Sequence, residues 1–357
     1  MDNKPTIHLI APFNTVVSKR YSHCPFTMKV LNFSKMMKMY NYTIYEYSNG
    51  VSESMADKKF QILTEEELDN FIKKNDKTIT TATAIIGTQY WRQFHERLIT
   101  ILKQNVKDKD IIAHSLGRSH QELIIIFQNN IHIETGVGYL DSFAEFRVFV
   151  SWAWYHWTLG KQNDLKGKNL WFVIPIYYDL QDWEVNVNHG DYILYFGRLI
   201  LDKGLITIIQ IADKVDKKVI ACGEGDYNVF NNTKVIYKPP VRGKDRNELL
   251  KNAYCMIAPS EYIEPFNSSC VESMLCGTPV ITSNFGGFTE TVIDGVTGFR
   301  CNTIDDMISA IKKVKKLDRR LIAQITRDKY NFNTCGKMFD KAFKKIYKYK
   351  YGVKFKI

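Results

Sequence analysis

The chain has 357 residues, enough for two domains of the usual ~100–200 residues each. Hydrophobic residues make up 45% and charged ones 24%, the balance of a folded globular protein and not of a disordered one. The net charge of +11 is placed unevenly: residues 312–357 carry sixteen Lys/Arg and three Asp, net +13, so the preceding 311 residues sum to −2.

No apolar run approaches the ~18–20 residues that a membrane span needs. The opening residues 1–14 hold a short apolar stretch broken by His8 and Pro12, which reads as a first β-strand and not as a signal peptide. Strands are expected at 7–11, 43–47, 110–114 and 123–127, helices at 26–39 and 143–157, and a last strand of this half at 171–175. The polar segment 180–190, which ends on Gly190, reads as a hinge. A second unit opens with a strand at 192–196 and Gly197, then a helix from about 205 to 215. Strands at 218–222, 234–238, 254–258 and 279–282 alternate with helices at 246–252 and 268–276. Helices at about 303–316, 318–329 and 333–348 close the chain. This alternation predicts an α/β protein of two doubly wound, Rossmann-like domains facing a cleft. The expected boundaries are 1–186, 187–332 and a basic C-terminal helix, 333–357, that crosses back to pack on the first domain. Phe339, Phe343 and Tyr347 recur at helical spacing there, which makes an amphipathic helix a simpler reading than a nucleic-acid site.

The seven cysteines, Cys24, Cys222, Cys255, Cys270, Cys276, Cys301 and Cys335, are odd in number, widely spaced and without a C-x-x-C pair. That excludes a disulfide framework or zinc cluster of the usual spacing and favours free thiols in the cytoplasm. Asp108-Lys109-Asp110 spells D-x-D but reads as a polar loop before a strand. No G-x-G-x-x-G follows the first strand, which argues against a dinucleotide oxidoreductase.

Three constellations carry chemistry. Arg198 and Lys203 flank the turn from the strand ending at Gly197 to the helix beginning near Gly204, where free amides and the helix dipole favour an anion. A guanidinium and an ammonium there suit a diphosphate. In Pro259-Ser260-Glu261-Tyr262-Ile263-Glu264-Pro265-Phe266-Asn267-Ser268-Ser269-Cys270-Val271-Glu272, Glu264 precedes a proline and so lies in a loop. Ser268 or Ser269 can cap the helix that follows, and Glu272 falls in its early turns. Two carboxylates thus approach one pocket from a loop and a helix. Finally, Cys276-Gly277-Thr278-Pro279-Val280-Ile281 leads to Gly286-Gly287, paired glycines that let backbone approach a ligand.

Together with Cys222-Gly223-Glu224-Gly225-Asp226 and the run from Glu290-Thr291-Val292 to Gly298-Phe299, these motifs resemble the C-terminal half of retaining glycosyltransferases of family 4 with the GT-B fold. Gly136-Val137-Gly138-Tyr139 and the run from Arg147 to Trp154 resemble a subgroup that includes members from large algal DNA viruses. The resemblance implies transfer of a hexose from a nucleotide-diphosphate sugar, GDP-mannose before UDP-glucose, to a hydroxyl acceptor, with no obligatory metal or cofactor. The acceptor would be a glycan, glycoprotein or glycolipid, and the location cytoplasmic (the host cytoplasm for a viral member). It assigns Arg198 and Lys203 to the leaving diphosphate, Glu264 to the hexose and Glu272 to the ribose. Gly197, Phe266, Asn267, Ser268 and Ser269 complete the expected donor site. Asn14, His114 and His120 are the expected acceptor-side residues, the two histidines facing the cleft. Two departures stand out: Asn267 where the family often has Gly, and Pro12-Phe13-Asn14-Thr15 where a Gly-Gly pair often follows the first strand. The alternatives are a nucleotide-sugar epimerase or hydrolase on the same fold and, from another class, a nucleic-acid-binding protein. Peripheral contact of the basic tail with an anionic membrane can coexist with packing of its apolar stripe.

Overall fold

The computed structural model describes residues 4–75, 86–164 and 166–353; residues 354–357 of the expected C-terminal segment lie outside them. In chain order the elements are β1 Ile7–Ile10, α1 Pro25–Lys38, β2 Ile44–Ser48, β3 Lys58–Gln61, α2 Glu65–Asn75, α3 Gln89–Asn105, β4 Ile111–His114, α4 Leu123–Ile126, β5 Ile131–Val137, β6 Phe146–Phe149, α5 Trp152–Lys161 and β7 Trp171–Val173. They continue with β8 Tyr192–Phe196, α6 Leu205–Lys214, β9 Lys218–Cys222, β10 Val235–Lys238, α7 Gly243–Lys251, β11 Cys255–Ala258, α8 Ser268–Leu275, β12 Val280–Ser283, α9 Phe288–Thr291, β13 Gly298–Cys301, α10 Ile304–Lys313, α11 Arg319–Tyr330 and α12 Phe332–Tyr351.

Two parallel sheets result, ordered β3-β2-β1-β4-β5-β6-β7 and β10-β9-β8-β11-β12-β13. Strand order reverses between β1 and β4 in the first and between β8 and β11 in the second. Ligands of doubly wound sheets bind at such switch points, beyond the carboxyl ends of the strands. The inner strands are buried along most of their length because helices cover both faces. Among the described residues no helix is long and apolar enough to cross a membrane.

The chain divides into two compact units. Unit 1 comprises Met1–Phe149, Lys166–Tyr177 and Phe332–Ile357; unit 2 comprises Val150–Leu165 and Tyr178–Asn331. Helix α5 therefore belongs to unit 2, although it links two strands of unit 1. The last helix, α12, completes the core of unit 1. Its Phe339 ring meets Phe33 of α1 edge-on at 5.3 Å, and Phe343 meets Tyr42 at 5.6 Å. A Cβ at Gly336 would stand 2.4 Å from the Tyr40 ring, so only glycine lets that ring lie against the helix. Lys337, Lys341, Lys345 and Lys348 face outward.

Two segments differ from the pattern read in the sequence. Where a strand is expected at 123–127, residues 123–126 form the short helix α4, with Ile125 81% exposed; the strand beside β4 is β5. A four-residue apolar run does not distinguish the two by periodicity. Residues 143–157 do not form one helix: β6 comes first, and α5 starts only after Ser151, whose hydroxyl accepts from the Trp154 amide.

Unit 1 also buries four stacked imidazoles. His114 lies 5.3 Å from His132 and 6.2 Å from His120, and His120 lies 5.3 Å from His95. His114 Nε2 bonds His132 Nδ1 at 3.0 Å, and His132 Nε2 meets the Phe127 carbonyl. Burial pulls His95 and His132 down to about 4, with Lys350 adding to the effect on His132. Burial and neighbouring imidazoles hold His114 and His120 well below 6.5. In the unfolded chain these rings take up protons near pH 6.5. Between there and about pH 4 the unfolded state binds more protons, so stability falls as pH falls across that window. The slope is up to about 1.4 kcal/mol per pH unit for each ring. Urea midpoints between pH 7 and 4.5 should show this decline, and His95→Phe should flatten it. An unchanged slope in that variant would show that the stack does not set the acid sensitivity.

Candidate functional site

In unit 2 the loops that follow β8, β9, β11 and β12 are held together backbone to backbone. The Gly197 amide donates to the Cys222 carbonyl at 3.1 Å and the Leu199 amide to Glu224 at 2.6 Å. A Cβ on Gly223 would fall 1.7 Å from the Gly197 carbonyl oxygen. Gly204, in the left-handed conformation at φ +77°, opens α6; a Cβ there would lie 2.1 Å from the Pro259 carbonyl oxygen. The Glu261 amide donates to the Asp202 carbonyl at 2.8 Å. Arg198 stands exposed at this turn and reaches the Tyr262 hydroxyl.

Lys203, from the same turn, forms an ion pair with Glu264, whose residue is 2% exposed. Glu264 Oε1 also accepts from Ser260 Oγ at 2.7 Å and Asn267 Nδ2 at 3.1 Å, while Oε2 accepts from Tyr262 OH at 2.8 Å. Burial, followed by the neighbouring Glu264 carboxylate, pushes the Tyr262 hydroxyl well above its ordinary range. The glycine pair fixes this loop from behind. The Gly287 amide donates to the Glu264 carbonyl at 2.7 Å, and a Cβ on Gly286 would lie 2.9 Å from the Glu264 nitrogen.

Asn267, and not Ser268 or Ser269, caps α8: its Oδ1 accepts from the Cys270 amide at 3.2 Å. It holds φ +62°, a conformation glycine adopts freely and asparagine tolerates better than most residues, so this turn accommodates either residue. Ser268 and Ser269 are half-buried at the helix start. The Phe266 side chain packs edge-on against Tyr330 at 5.6 Å.

Glu272, in the second turn of α8 and 6% exposed, forms an ion pair with Arg246 of α7. The guanidinium lies 5.2 Å from the Phe196 ring and 5.8 Å from the Trp183 ring. Burial pulls Arg246 down to about 10. No spacing in the sequence couples Arg246 to Glu272, which lies on another helix. Glu290, noted in the sequence only as part of a motif, accepts from the first α5 amides, Trp152 N at 2.9 Å and Ala153 N at 2.8 Å, while Ser151 Oγ donates to the Pro265 carbonyl at 2.6 Å. These bonds tie α5 to the Glu264 loop.

The expected acceptor-side residues all lie in unit 1, and all are buried. Asn14 is 4% exposed; His114 and His120 are 0% exposed, inside the imidazole stack, so neither histidine lines an open face. Stacked rings of this kind do not converge on one point, and among the described residues no group of three or more His, Cys, Asp or Glu is arranged to hold a metal ion. Asp110 of the D-x-D spelling instead accepts from Thr6 N and Lys107 N and pairs with His8.

A buried ion pair broken on one side leaves an uncompensated charge, at a cost of roughly 3–5 kcal/mol, whereas removing both partners costs much less. Arg246→Met should therefore lower the stability of unit 2 by about that amount, and Arg246→Met with Glu272→Met by clearly less than the sum of the single changes. A double-mutant cycle in urea reads this directly; additive losses would show that the pair is not coupled.

Residues 181–334, the bulk of unit 2, match the family model described as glycosyl transferases group 1. An uncharacterized glycosyltransferase of Methanocaldococcus jannaschii is 33% identical over 119 residues, 30% of this chain and 30% of the relative. An alpha-1,3/1,6-mannosyltransferase of Dictyostelium discoideum is 31% identical over 128 residues, 34% of this chain and 30% of the relative. The chain thus spans about a third of the length of these curated relatives. Whole-chain likeness appears in solved structures. Sucrose-phosphate synthase from Thermosynechococcus elongatus superposes with a TM-score of 0.70 at 15% identity, over 96% of this chain and 99% of the other. Anabaena HepE, solved with UDP-glucose, gives 0.67 at 14% identity over 95% and 99%. With its two Rossmann-like parallel sheets the chain has the GT-B fold, and its residues 181–334 are similar to the glycosyl transferases group 1 family.

Proposed function

We propose that the protein is a retaining, metal-independent glycosyltransferase that moves a hexose from a nucleoside-diphosphate sugar to a hydroxyl of a glycan acceptor. The observation that carries this reading is the Glu264 carboxylate, fixed by Lys203, Ser260, Tyr262 and Asn267 beside the anion-favouring β8–α6 turn. GDP-mannose is the favoured donor, in keeping with the mannosyltransferase relative; UDP-glucose is the competing one. The seven free thiols suit a cytoplasmic setting.

In this mechanism the acceptor oxygen bonds to the anomeric carbon on the face from which the diphosphate leaves. The departing phosphate oxygen takes the acceptor proton, so the protein needs no dedicated strong base. Its contribution is orientation and charge stabilisation. Arg198 supplies a planar fork and Lys203 a point charge for the diphosphate. Glu264 Oε1 already accepts three donors and Oε2 one, so Oε2 has lone-pair capacity for a hexose hydroxyl. Glu272, steadied by Arg246, accepts from the ribose.

Charge on the diphosphate grows in the transition state, so Arg198→Ala and Lys203→Ala should each lower kcat by ~10²–10³ with a smaller effect on donor KM. Wild-type turnover in both variants would remove the assignment. Glu264→Gln should impair transfer while calorimetric affinity for the nucleoside diphosphate stays close to wild type; Glu272→Gln should weaken that affinity about tenfold. The opposite pattern would exchange the two roles. The base is identified by thermal-shift screening with GDP, UDP and ADP: the bound nucleotide adds ~2.7 kcal/mol of stability at a hundredfold excess over its Kd.

A further inference from the structure

Lys29, in the first turns of α1, lies half-buried at the carboxyl ends of β4 and β5, close to where the strand order of unit 1 reverses. Its Nζ donates to the Ser115 carbonyl at 2.8 Å and the Gly136 carbonyl at 3.2 Å. Among the described residues no carboxylate stands within ion-pair distance of it. The nearest acid in the electrostatic sense, Glu134, is engaged elsewhere: it accepts from Tyr139 OH, Phe143 N and Ala144 N and lies 3.7 Å from Arg147. Two half-buried rings flank the amine, Phe26 at 5.3 Å and Tyr139 at 5.8 Å. Exposed Leu140 follows Tyr139.

The glycines here have a specific use. A Cβ on Gly136 would come within 2.8 Å of Lys29 Cδ, and one on Gly117, at φ +50°, within 3.1 Å of the Tyr139 ring. The Gly136-Val137-Gly138-Tyr139 run, conspicuous in the sequence but unused by the donor chemistry, thus seats a lysine and an aromatic ring side by side. An ammonium with two carbonyl acceptors retains a third N–H, and a fixed donor between aromatic faces is complementary to a pyranose, which offers an oxygen edge and an apolar C–H face.

We propose that Lys29, Phe26 and Tyr139 form an acceptor-sugar subsite on unit 1, the amine donating to an acceptor oxygen and the rings packing on its apolar face. The subsite rests on the glycosyl-transfer reading above. Burial pulls the amine down to about 8, so its grip on the acceptor weakens as pH rises through that value.

The test uses the full chain with nucleoside-diphosphate hexoses and a panel of p-nitrophenyl glycosides of glucose, galactose, mannose, xylose and N-acetylglucosamine. Lys29→Met and Phe26→Ala should each raise acceptor KM at least tenfold, with kcat changed far less and with wild-type calorimetric affinity for the nucleoside diphosphate. The wild-type acceptor KM should rise between pH 7 and 9, and in Lys29→Met it should not. Unchanged acceptor KM in both variants overturns the subsite, as does a parallel loss of nucleotide affinity, which marks a structural role. A wild-type protein that hydrolyses the donor but glycosylates no member of the panel overturns the sugar-acceptor assignment. One that binds no nucleotide and releases no hexose overturns the glycosyl-transfer reading itself.

Discussion

A carboxylate taken out of water must be compensated within hydrogen-bonding distance or it unfolds its surroundings. In unit 2 that carboxylate is Glu264, and its compensation organises the site. The donors come from the β8–α6 turn (Lys203), from its own loop (Ser260 and Tyr262) and from the cap of α8 (Asn267). Each of these segments must therefore hold one position relative to the others, and the fold supplies the means.

The means are mostly backbone. Residues 204, 223, 286 and 287 are glycines whose absent side chains let one loop touch the next, backbone against backbone. Side chains can change rotamer, but loops in van der Waals contact along their backbones cannot shift singly. The site is thereby preorganised at low side-chain entropy cost, the condition under which fixed dipoles and charges stabilise a developing charge most effectively. Glu272 is held by a different device, a buried guanidinium between aromatic rings.

Much of unit 2 was legible in the sequence because buried parallel strands are short apolar runs and its loops end on glycine or proline. Strands 192–196 and 218–222 fall where the pattern placed them. Unit 1 was less legible for physical reasons. Its edge strand β3, Lys-Lys-Phe-Gln, is mostly exposed and carries no apolar signal, while β5 includes Glu134, Thr135 and Gly136 within a buried strand. Helices α2, α3 and α9 and strands β3, β5, β6 and β13 are additional to the elements expected from the pattern. At the site, Glu264 and Lys203 sit in recognisable local motifs. Arg246 does not, since its meaning comes from a partner on another helix. The imidazole stack draws one ring each from α3, β4, the turn after β4, and β5, an arrangement no local spacing can announce.

The chain passes between the units four times, and that path has a consequence for biosynthesis. The strands of unit 1 precede most of unit 2 in the chain, yet its core includes Phe339, Phe343 and Ile346 of α12. A nascent chain cannot close that core until α12 has left the ribosome, whereas both segments of unit 2 have emerged by Asn331. The unit that is translated first is thus the last that can finish folding. Its strands β1, β2, β4 and β5 then wait with one apolar face partly uncovered, the state in which chaperone binding or aggregation competes with folding. For the same reason a fragment cut at residue 177 does not represent unit 1.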